Sequence, residues 1–100
     1  MRARIFGAKE RPRLRVSKSL KYVYLQLIDD EIGRTIVGLH SKKLKIKGTR
    51  SEIARKVGEE LAKLAVKQGI KQCVFDRGGH RYHGVVAKAA EGARAGGLRF

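Results

Sequence analysis

Cysteine is almost absent from this chain of 100 residues, and its scarcity limits what the protein can be. The single cysteine, Cys73, cannot build a disulfide framework and is typical of a reducing compartment. No apolar run approaches the roughly 18 residues that cross a bilayer, which excludes an integral membrane protein. The basic N-terminus is not followed by an apolar segment, so we expect no secretory signal.

Acidic residues are also scarce. Nine Asp and Glu residues stand against 24 Lys and Arg residues, which gives a formal net charge of +15 at pH 7. The sequence pI of about 10.7 lies above the value of roughly 9 that marks nucleic-acid-binding domains. Hydrophobic residues make up 42% of the chain, which is enough for one core at this length. The composition therefore predicts a single folded domain that binds a polyanion.

Residues 1–12 show neither helical nor strand periodicity, so we predict a flexible basic N-terminal arm there and one α/β domain over residues 13–100. Pro12 blocks a helix at this point and favours an extended entry into the domain. An arginine-bearing start also resembles an organellar transit peptide, but the strand pattern begins at Arg13 and leaves little room for one.

The hydrophobic pattern has a period of two from Arg13 onward, which predicts three strands over residues 13–19, 21–28 and 34–39. Residues 29–33 combine carboxylates with Gly33 and predict a turn. Short connections between the three strands indicate an antiparallel meander. A basic loop is predicted to follow over residues 41–48, with lysines at Lys42, Lys43, Lys45 and Lys47.

A helical period begins at Thr49, where Thr49 and Glu52 fit a capping box. Ile53, Val57, Leu61 and Leu64 form the predicted apolar stripe, and Gly69 is placed to end the helix. The pattern then predicts a short strand over residues 70–75, a loop over 76–84 and a second helix that ends at Gly96 and Gly97. Leu98 and Phe100 are expected to fold back on the core. The predicted fold is an α/β single domain in β-β-β-α-β-α order, with a mixed sheet and helices packed on it.

Four segments resemble the bacterial-type large-subunit ribosomal protein L-eighteen family. They are ERPRL at residues 10–14, YVYLQLIDD at 22–30, FDRGGHRYHG at 75–84 and EGARAGGLRF at 91–100. The resemblance extends from about Arg4 to Phe100, and the segment at 75–84 is its most specific part. Two features depart from the family pattern: a longer basic tail before the first strand is missing, and Ser17 stands where the family has an aromatic residue.

The resemblance implies a structural ribosomal protein of the large subunit that binds 5S rRNA and helps attach it to 23S rRNA in the central protuberance. It implies 5S rRNA, 23S rRNA and neighbouring large-subunit ribosomal proteins as partners, and a location in the cytoplasmic ribosome, with an organellar ribosome as the alternative. We expect no cofactor, membrane partner, small-molecule substrate or catalytic activity.

The residues themselves support RNA binding. Arg11, Arg13 and Arg15 alternate along a strand and would form a row of cations about 6–7 Å apart on one side. Tyr22 and Tyr24 share a face, where a ring can stack on an unpaired base or pack as an ordinary edge residue. In the loop over residues 76–84 we expect Asp76 to cap a turn. The candidate RNA-binding residues are Arg2, Arg4, Lys9, Arg11, Arg13, Arg15, Ser17, Lys18, Lys21, Tyr22, Tyr24, Lys42, Lys43, Arg77, His80, Arg81, Tyr82 and His83.

Other interpretations are weaker. The acids of the first helix offset its lysines through pairs such as Glu52–Lys56 and Glu59–Lys63, which indicates an ordinary solvated face. A zinc site would have to use Cys73, His80, His83 and Asp76 without paired cysteines, and Cys73 fits a small core residue better than a reactive thiolate.

Two function classes remain as alternatives. A ribonuclease-H-like nuclease shares the predicted element order, but it needs a carboxylate in its first strand, and that strand has none. A generic basic nucleic-acid-binding module lacks a supporting motif in this sequence.

Overall fold

The computed structural model describes residues 10–18, 22–44, 47–76 and 84–100. It contains four strands, β1 (Arg13–Lys18), β2 (Val23–Asp29), β3 (Arg34–His40) and β4 (Val74–Asp76). Its helices are α1 (Ser41–Leu44), α2 (Arg50–Lys67) and α3 (Val85–Ala95). The predicted α/β class and the order of the main elements are confirmed. The predicted basic loop is wrong over its first four residues, which form the short helix α1.

The strands form one mixed sheet in the order β3-β2-β1-β4. β1 pairs antiparallel with β2, and β2 pairs antiparallel with β3, as the short connections predict. β4 pairs parallel with β1, because the chain returns to the sheet through α2. The last strand is shorter than predicted. Its expected beginning pairs instead with the C-terminal segment, since Cys73 N–H donates to the Arg99 carbonyl and Arg99 N–H donates to the Lys71 carbonyl.

One face of the sheet packs against α2 and α3. Alternate residues of β1 and β2 are buried there, and Leu14, Val16, Leu25 and Leu27 are at most 1% exposed. This is the alternation that the period of two predicts. The folded part begins no later than Pro12, which is fully buried and whose carbonyl accepts a hydrogen bond from Val74 N–H.

Helix α2 begins as predicted. The Thr49 hydroxyl accepts from Glu52 N–H at 3.2 Å and the Glu52 carboxylate accepts from Thr49 N–H at 3.4 Å, which completes the capping box. At the other end, Gly69 has φ +86°, a left-handed conformation that favours glycine. The predicted pair Glu52–Lys56 is wrong, because Glu52 serves the cap and Lys56 lies near Glu59 and Glu60.

The buried stripe of α2 is rotated from the predicted one. Leu64 is 42% exposed, whereas Val57, Leu61 and small residues beside them are buried. The reason is a close crossing with α3: a Cβ at Gly58 would overlap the Ala89 carbonyl, and a Cβ at Gly92 would overlap the Arg55 carbonyl. The face of α2 that the backbone of α3 can approach therefore decides which residues are buried.

The C-terminal residues fold back on the core, as predicted. Leu98 is 2% exposed, and the Phe100 ring stacks on Phe75 with centroids 5.5 Å apart. The Arg94 guanidinium lies 4.4 Å from the centre of the Phe100 ring. Cys73 is fully buried, and burial raises the pKa of its thiol to about 12, which fits the predicted core role. Among the helices described here, none has the length and hydrophobicity to cross a membrane.

Candidate nucleic-acid interface

The face of the sheet opposite α2 and α3 carries the candidate site. The side chains that alternate with the buried core residues lie on this face. We call it the open face and define it by Arg13, Arg15, Ser17, Tyr24, Gln26, Gly38, His40 and Asp76. Neighbouring strands place these residues in rows: Arg15 pairs with Gln26 and Gln26 with Gly38, and in the next row Ser17 pairs with Tyr24 and Tyr24 with His40.

Arg13 departs from its predicted role. Its guanidinium donates to both oxygens of Asp30, at 3.0 and 3.1 Å, and to Asp76 at 2.7 Å. The side chain is only 18% exposed, and the hydrogen bonds that it donates to Asp30 and, to a lesser extent, to Asp76 raise the pKa of Arg13 above its usual value. Arg13 is therefore part of an internal ion pair and not a free cation in a row with Arg11 and Arg15, whereas its predicted contact with RNA stays a prediction.

Asp76 has a structural role, as expected: it lies in β4 and accepts a hydrogen bond from Arg13. The turn that it was predicted to cap lies outside the described residues. Asp29, in contrast, bonds the local backbone of the first turn as predicted, since it accepts from Glu31 N–H at 3.0 Å.

Arg11 and Arg15 are both exposed. Within the part of the chain that the structure describes, neither forms an ion pair with a carboxylate. Arg15 lies between Gln26 and Asp76 in the sheet, but Asp76 binds Arg13. Among the described residues that define the open face, the Arg15 guanidinium is thus the cation that remains available for a phosphate.

Three aromatic rings lie together near one end of the open face. The His40 ring centre is 5.1 Å from that of Tyr22 and 5.7 Å from that of Tyr24, with interplanar angles of 53° and 37°. We call this cluster the aromatic platform. The shared face of Tyr22 and Tyr24 was predicted from their spacing, whereas His40 was missed. The signal that would have found it is the register of β2 and β3, which makes His40 the partner of Tyr24.

Two contacts hold Tyr24 against the sheet. The Gln26 amide Nε2 donates to the Tyr24 hydroxyl at 3.2 Å. The ring also covers Gly38, where an added Cβ would lie 2.9 Å from Oη and 3.4 Å from Cε1. The absence of a side chain at Gly38 therefore creates the space that the ring occupies.

Lys42 and Lys43 follow the platform on α1, and both are exposed. The buried hydroxyl of Ser41 accepts from Val23 N–H at 3.0 Å and fixes the start of α1 to β2. The Lys42 N–H donates to His40 Nδ1 at 3.1 Å. These bonds place the two lysines beside the aromatic platform.

The remaining candidate residues lie either in β1 or outside the described ranges. Ser17 and Lys18 lie in β1 and Ser17 is partly exposed. The following candidates lie outside the described residues: Arg2, Arg4, Lys9, Lys21, Arg77, His80, Arg81, Tyr82 and His83. β1 and β4 run parallel, so their last residues, Lys18 and Asp76, lie toward the same end of the sheet.

Comparisons with known proteins give the family. A sequence profile for ribosomal L18 of archaea, bacteria, mitochondria and chloroplasts matches residues 1–100. The chain belongs to the ribosomal L18 family. This confirms the resemblance seen in the sequence, and it makes the chain a structural, non-enzymatic protein of the large ribosomal subunit.

Several relatives are similar over nearly their whole length. Large ribosomal subunit protein uL18 of Porphyromonas gingivalis is 50% identical over 100 residues, which cover 100% of this chain and 88% of the relative. The protein of that name from Thermus thermophilus is 56% identical over 90 residues, 90% of this chain and 80% of the relative. The one from Caldanaerobacter subterraneus is 48% identical over 104 residues, with 100% and 86% covered.

The helical side of this L18-family protein differs from the open face in its charge balance. Lys63 lies 3.3 Å from Glu59, as predicted, and Arg55 lies 3.1 Å from Glu91. The hydrogen bond from Lys63 lowers the pKa of Glu59, and those from Lys88 and Arg55 lower the pKa of Glu91. The cations of α2 are thus largely matched by carboxylates on the same surface.

The described carboxylates of the open face are engaged in ion pairs. The two that lie there or beside it, Asp30 and Asp76, both bind Arg13. In the described ranges, no group of three or more His, Cys, Asp and Glu residues is arranged to hold a metal ion. His80 and His83, which the zinc hypothesis used, lie outside these ranges. The fold shares its element order with ribonuclease-H-like enzymes only as an analogy.

Proposed function

We propose that the chain binds 5S rRNA and helps attach it to 23S rRNA in the central protuberance of the large subunit. Its further partners would be neighbouring large-subunit proteins, and its setting the ribosome of the cytoplasm. Family membership supports a ribosomal role, and the open face supports RNA as the ligand. The observation that carries the proposal is that this face combines an available arginine with aromatic rings, while Arg13 binds its carboxylates and offsets one of their two charges.

Each part of the open face has a distinct task in this proposal. Arg15, Lys42 and Lys43 contact phosphate oxygens, and the release of condensed counterions supplies much of the affinity. The aromatic platform contacts unpaired nucleotides, whose ring faces are accessible in single-stranded regions of RNA. Repulsion of phosphates by Asp30 and Asp76 is reduced there, because Arg13 offsets one of their two charges.

The arm over residues 1–12 and the loop that follows Asp76 extend the proposed site. The arm would add phosphate contacts through its arginines and lysine, and Arg11 at its end is exposed. The loop residues Arg77, His80, Arg81, Tyr82 and His83 would recognise the shape of the RNA, because glycines beside them let the backbone come close to phosphates.

A filter-binding competition tests the proposal. Labelled 5S RNA is bound to the full chain at moderate salt and displaced by unlabelled 5S RNA, tRNA or duplex DNA. We expect 5S RNA to compete at clearly lower concentrations than the other two, since shape recognition adds to the phosphate contacts. Equal competition by all three would show binding by charge alone and would contradict the specific assignment.

A further inference from the structure

The aromatic platform has the features of a preformed subsite. Tyr24 is fixed by the amide of Gln26 at 3.2 Å and by its position over Gly38. A ring that is already held in place loses little side-chain entropy when a ligand stacks on it. Tyr22 is 37% exposed beside it, so the platform is accessible from the open face.

His40 adds a directed hydrogen-bond donor to the platform. Its Nδ1 accepts the Lys42 N–H at 3.1 Å and therefore carries no proton, which places the proton of the neutral ring on Nε2. Among the described residues, none accepts a hydrogen bond from Nε2. The platform thus offers ring faces for stacking together with one donor in a fixed tautomer.

Arg15, which can bind a phosphate, lies one row of paired residues away from the aromatic platform. Arg15 and Ser17 are two positions apart on β1, and Ser17 is the partner of Tyr24. Two positions on a strand are about 6–7 Å apart, which is close to the distance between a base and the phosphates next to it. A single nucleotide can therefore reach the rings and the Arg15 guanidinium together.

We infer that the aromatic platform is a subsite for one unpaired nucleotide of the bound RNA. The base stacks on Tyr24, an acceptor atom on its edge takes the hydrogen bond from His40 Nε2, and a neighbouring phosphate binds Arg15. This inference rests on the proposed function and deepens it. A base inside a duplex cannot use the platform, because its faces are covered by its neighbours in the stack.

The test compares two oligomers of equal charge. One is a short single-stranded oligoadenylate, and the other has the same length and backbone but abasic ribose at every position. The full chain should bind oligoadenylate about tenfold more tightly, because only its bases can stack on the aromatic platform. Arg15→Gln should weaken binding to both oligomers equally, because it removes only a phosphate contact.

Three variants of the platform isolate the base contribution. Tyr24→Leu should abolish the preference for oligoadenylate. Gly38→Ala removes no ring or charge, but its Cβ displaces the Tyr24 ring and should reduce the same preference. His40→Phe keeps a ring and removes the donor, so it should weaken oligoadenylate binding and leave the abasic oligomer unchanged. Circular dichroism and urea unfolding check that each variant is folded.

The result also separates this inference from the proposed function. If folded Tyr24→Leu and Gly38→Ala variants keep the full preference while 5S RNA still competes better than tRNA, the subsite is wrong and the proposed function stands. If the unmodified chain shows no preference for 5S RNA over tRNA but the platform variants lose base-dependent binding, the subsite stands and the specific function is wrong.

Discussion

Arg13 and Arg15 show how neighbours decide the role of a residue. Both lie on β1 and point to the open face, and both are arginines in a strongly basic chain. Arg13 is 18% exposed and bound to Asp30 and Asp76, whereas Arg15 is exposed and lacks a carboxylate partner in the described ranges. The first links β1 to the hairpin turn and to β4, and the second remains available for a ligand.

This difference predicts opposite effects of the same substitution. Arg13→Gln should lower the free energy of unfolding by about 2 kcal/mol, because it removes a guanidinium that binds two largely buried carboxylates. Arg15→Gln should change it by less than about 0.5 kcal/mol, as is usual for exposed positions. Urea unfolding followed by circular dichroism measures both. A loss below about 0.5 kcal/mol for Arg13→Gln as well would show that the Arg13 network does not stabilise the fold.

Sequence periodicity could place residues on a face, but not assign their partners. The period of two put Arg13, Arg15 and Tyr24 on the open face correctly. It could not reveal that Asp30 and Asp76 converge on Arg13, because they are 17 and 63 positions away from it in the chain. His40 was missed for the same reason, since only the register of β2 and β3 brings it to Tyr24.

At the scale of elements, the sequence predicts the ends of α2 better than it predicts which side of α2 is buried. The capping box at Thr49 and the left-handed Gly69 depend on neighbouring residues, so the sequence predicts both ends of α2. The orientation of α2 depends on α3, and the helices meet where glycines let their backbones approach. This contact turns Leu64 outward, although its spacing fits an apolar stripe.

The close helix crossing makes Gly92→Ala a severe substitution. The added Cβ would overlap the Arg55 carbonyl and force the two helices apart, so we expect a loss of about 3 kcal/mol or more in the free energy of unfolding. The gain in helix propensity from glycine to alanine, about 1 kcal/mol, is too small to offset it. Lys88→Ala on the exposed side of α3 is the control and should have little effect. A Gly92→Ala variant as stable as the unmodified chain would mean that the helices are not closely packed.

The whole molecule separates its charges through the topology of the sheet. The crossover through α2 places β4 beside β1, and both helices that cover the sheet lie on one side. Most carboxylates lie on the helices or at the turn between β2 and β3. Lys42 and Lys43 follow the aromatic platform beside β3, which is the edge strand farthest from β4. Net charge alone predicted an RNA-binding protein, but only the fold shows that Arg15 lies on the open face while Lys56 and Lys63 of α2 lie beside carboxylates.

The central claim is that position, and not net charge, decides which cations bind RNA. The most direct test compares two double variants with the same formal charge. The first variant combines Lys42→Gln with Lys43→Gln and removes two exposed lysines beside the aromatic platform. The second combines Lys56→Gln with Lys63→Gln and removes two exposed lysines of α2. The carboxylates of Glu59 and Glu60 already lie near these two lysines. Affinity for 5S RNA is measured between about 50 and 200 mM salt, the range over which phosphate contacts have a strong effect.

The account predicts different salt dependence for the two variants. The slope of log affinity against log salt should become shallower by about 1.5 for the Lys42 and Lys43 variant, because two phosphate contacts are lost. The slope should stay at its original value for the Lys56 and Lys63 variant. Equal changes in both would show that only net charge matters, and would contradict the assignment of the interface to the open face and its edge.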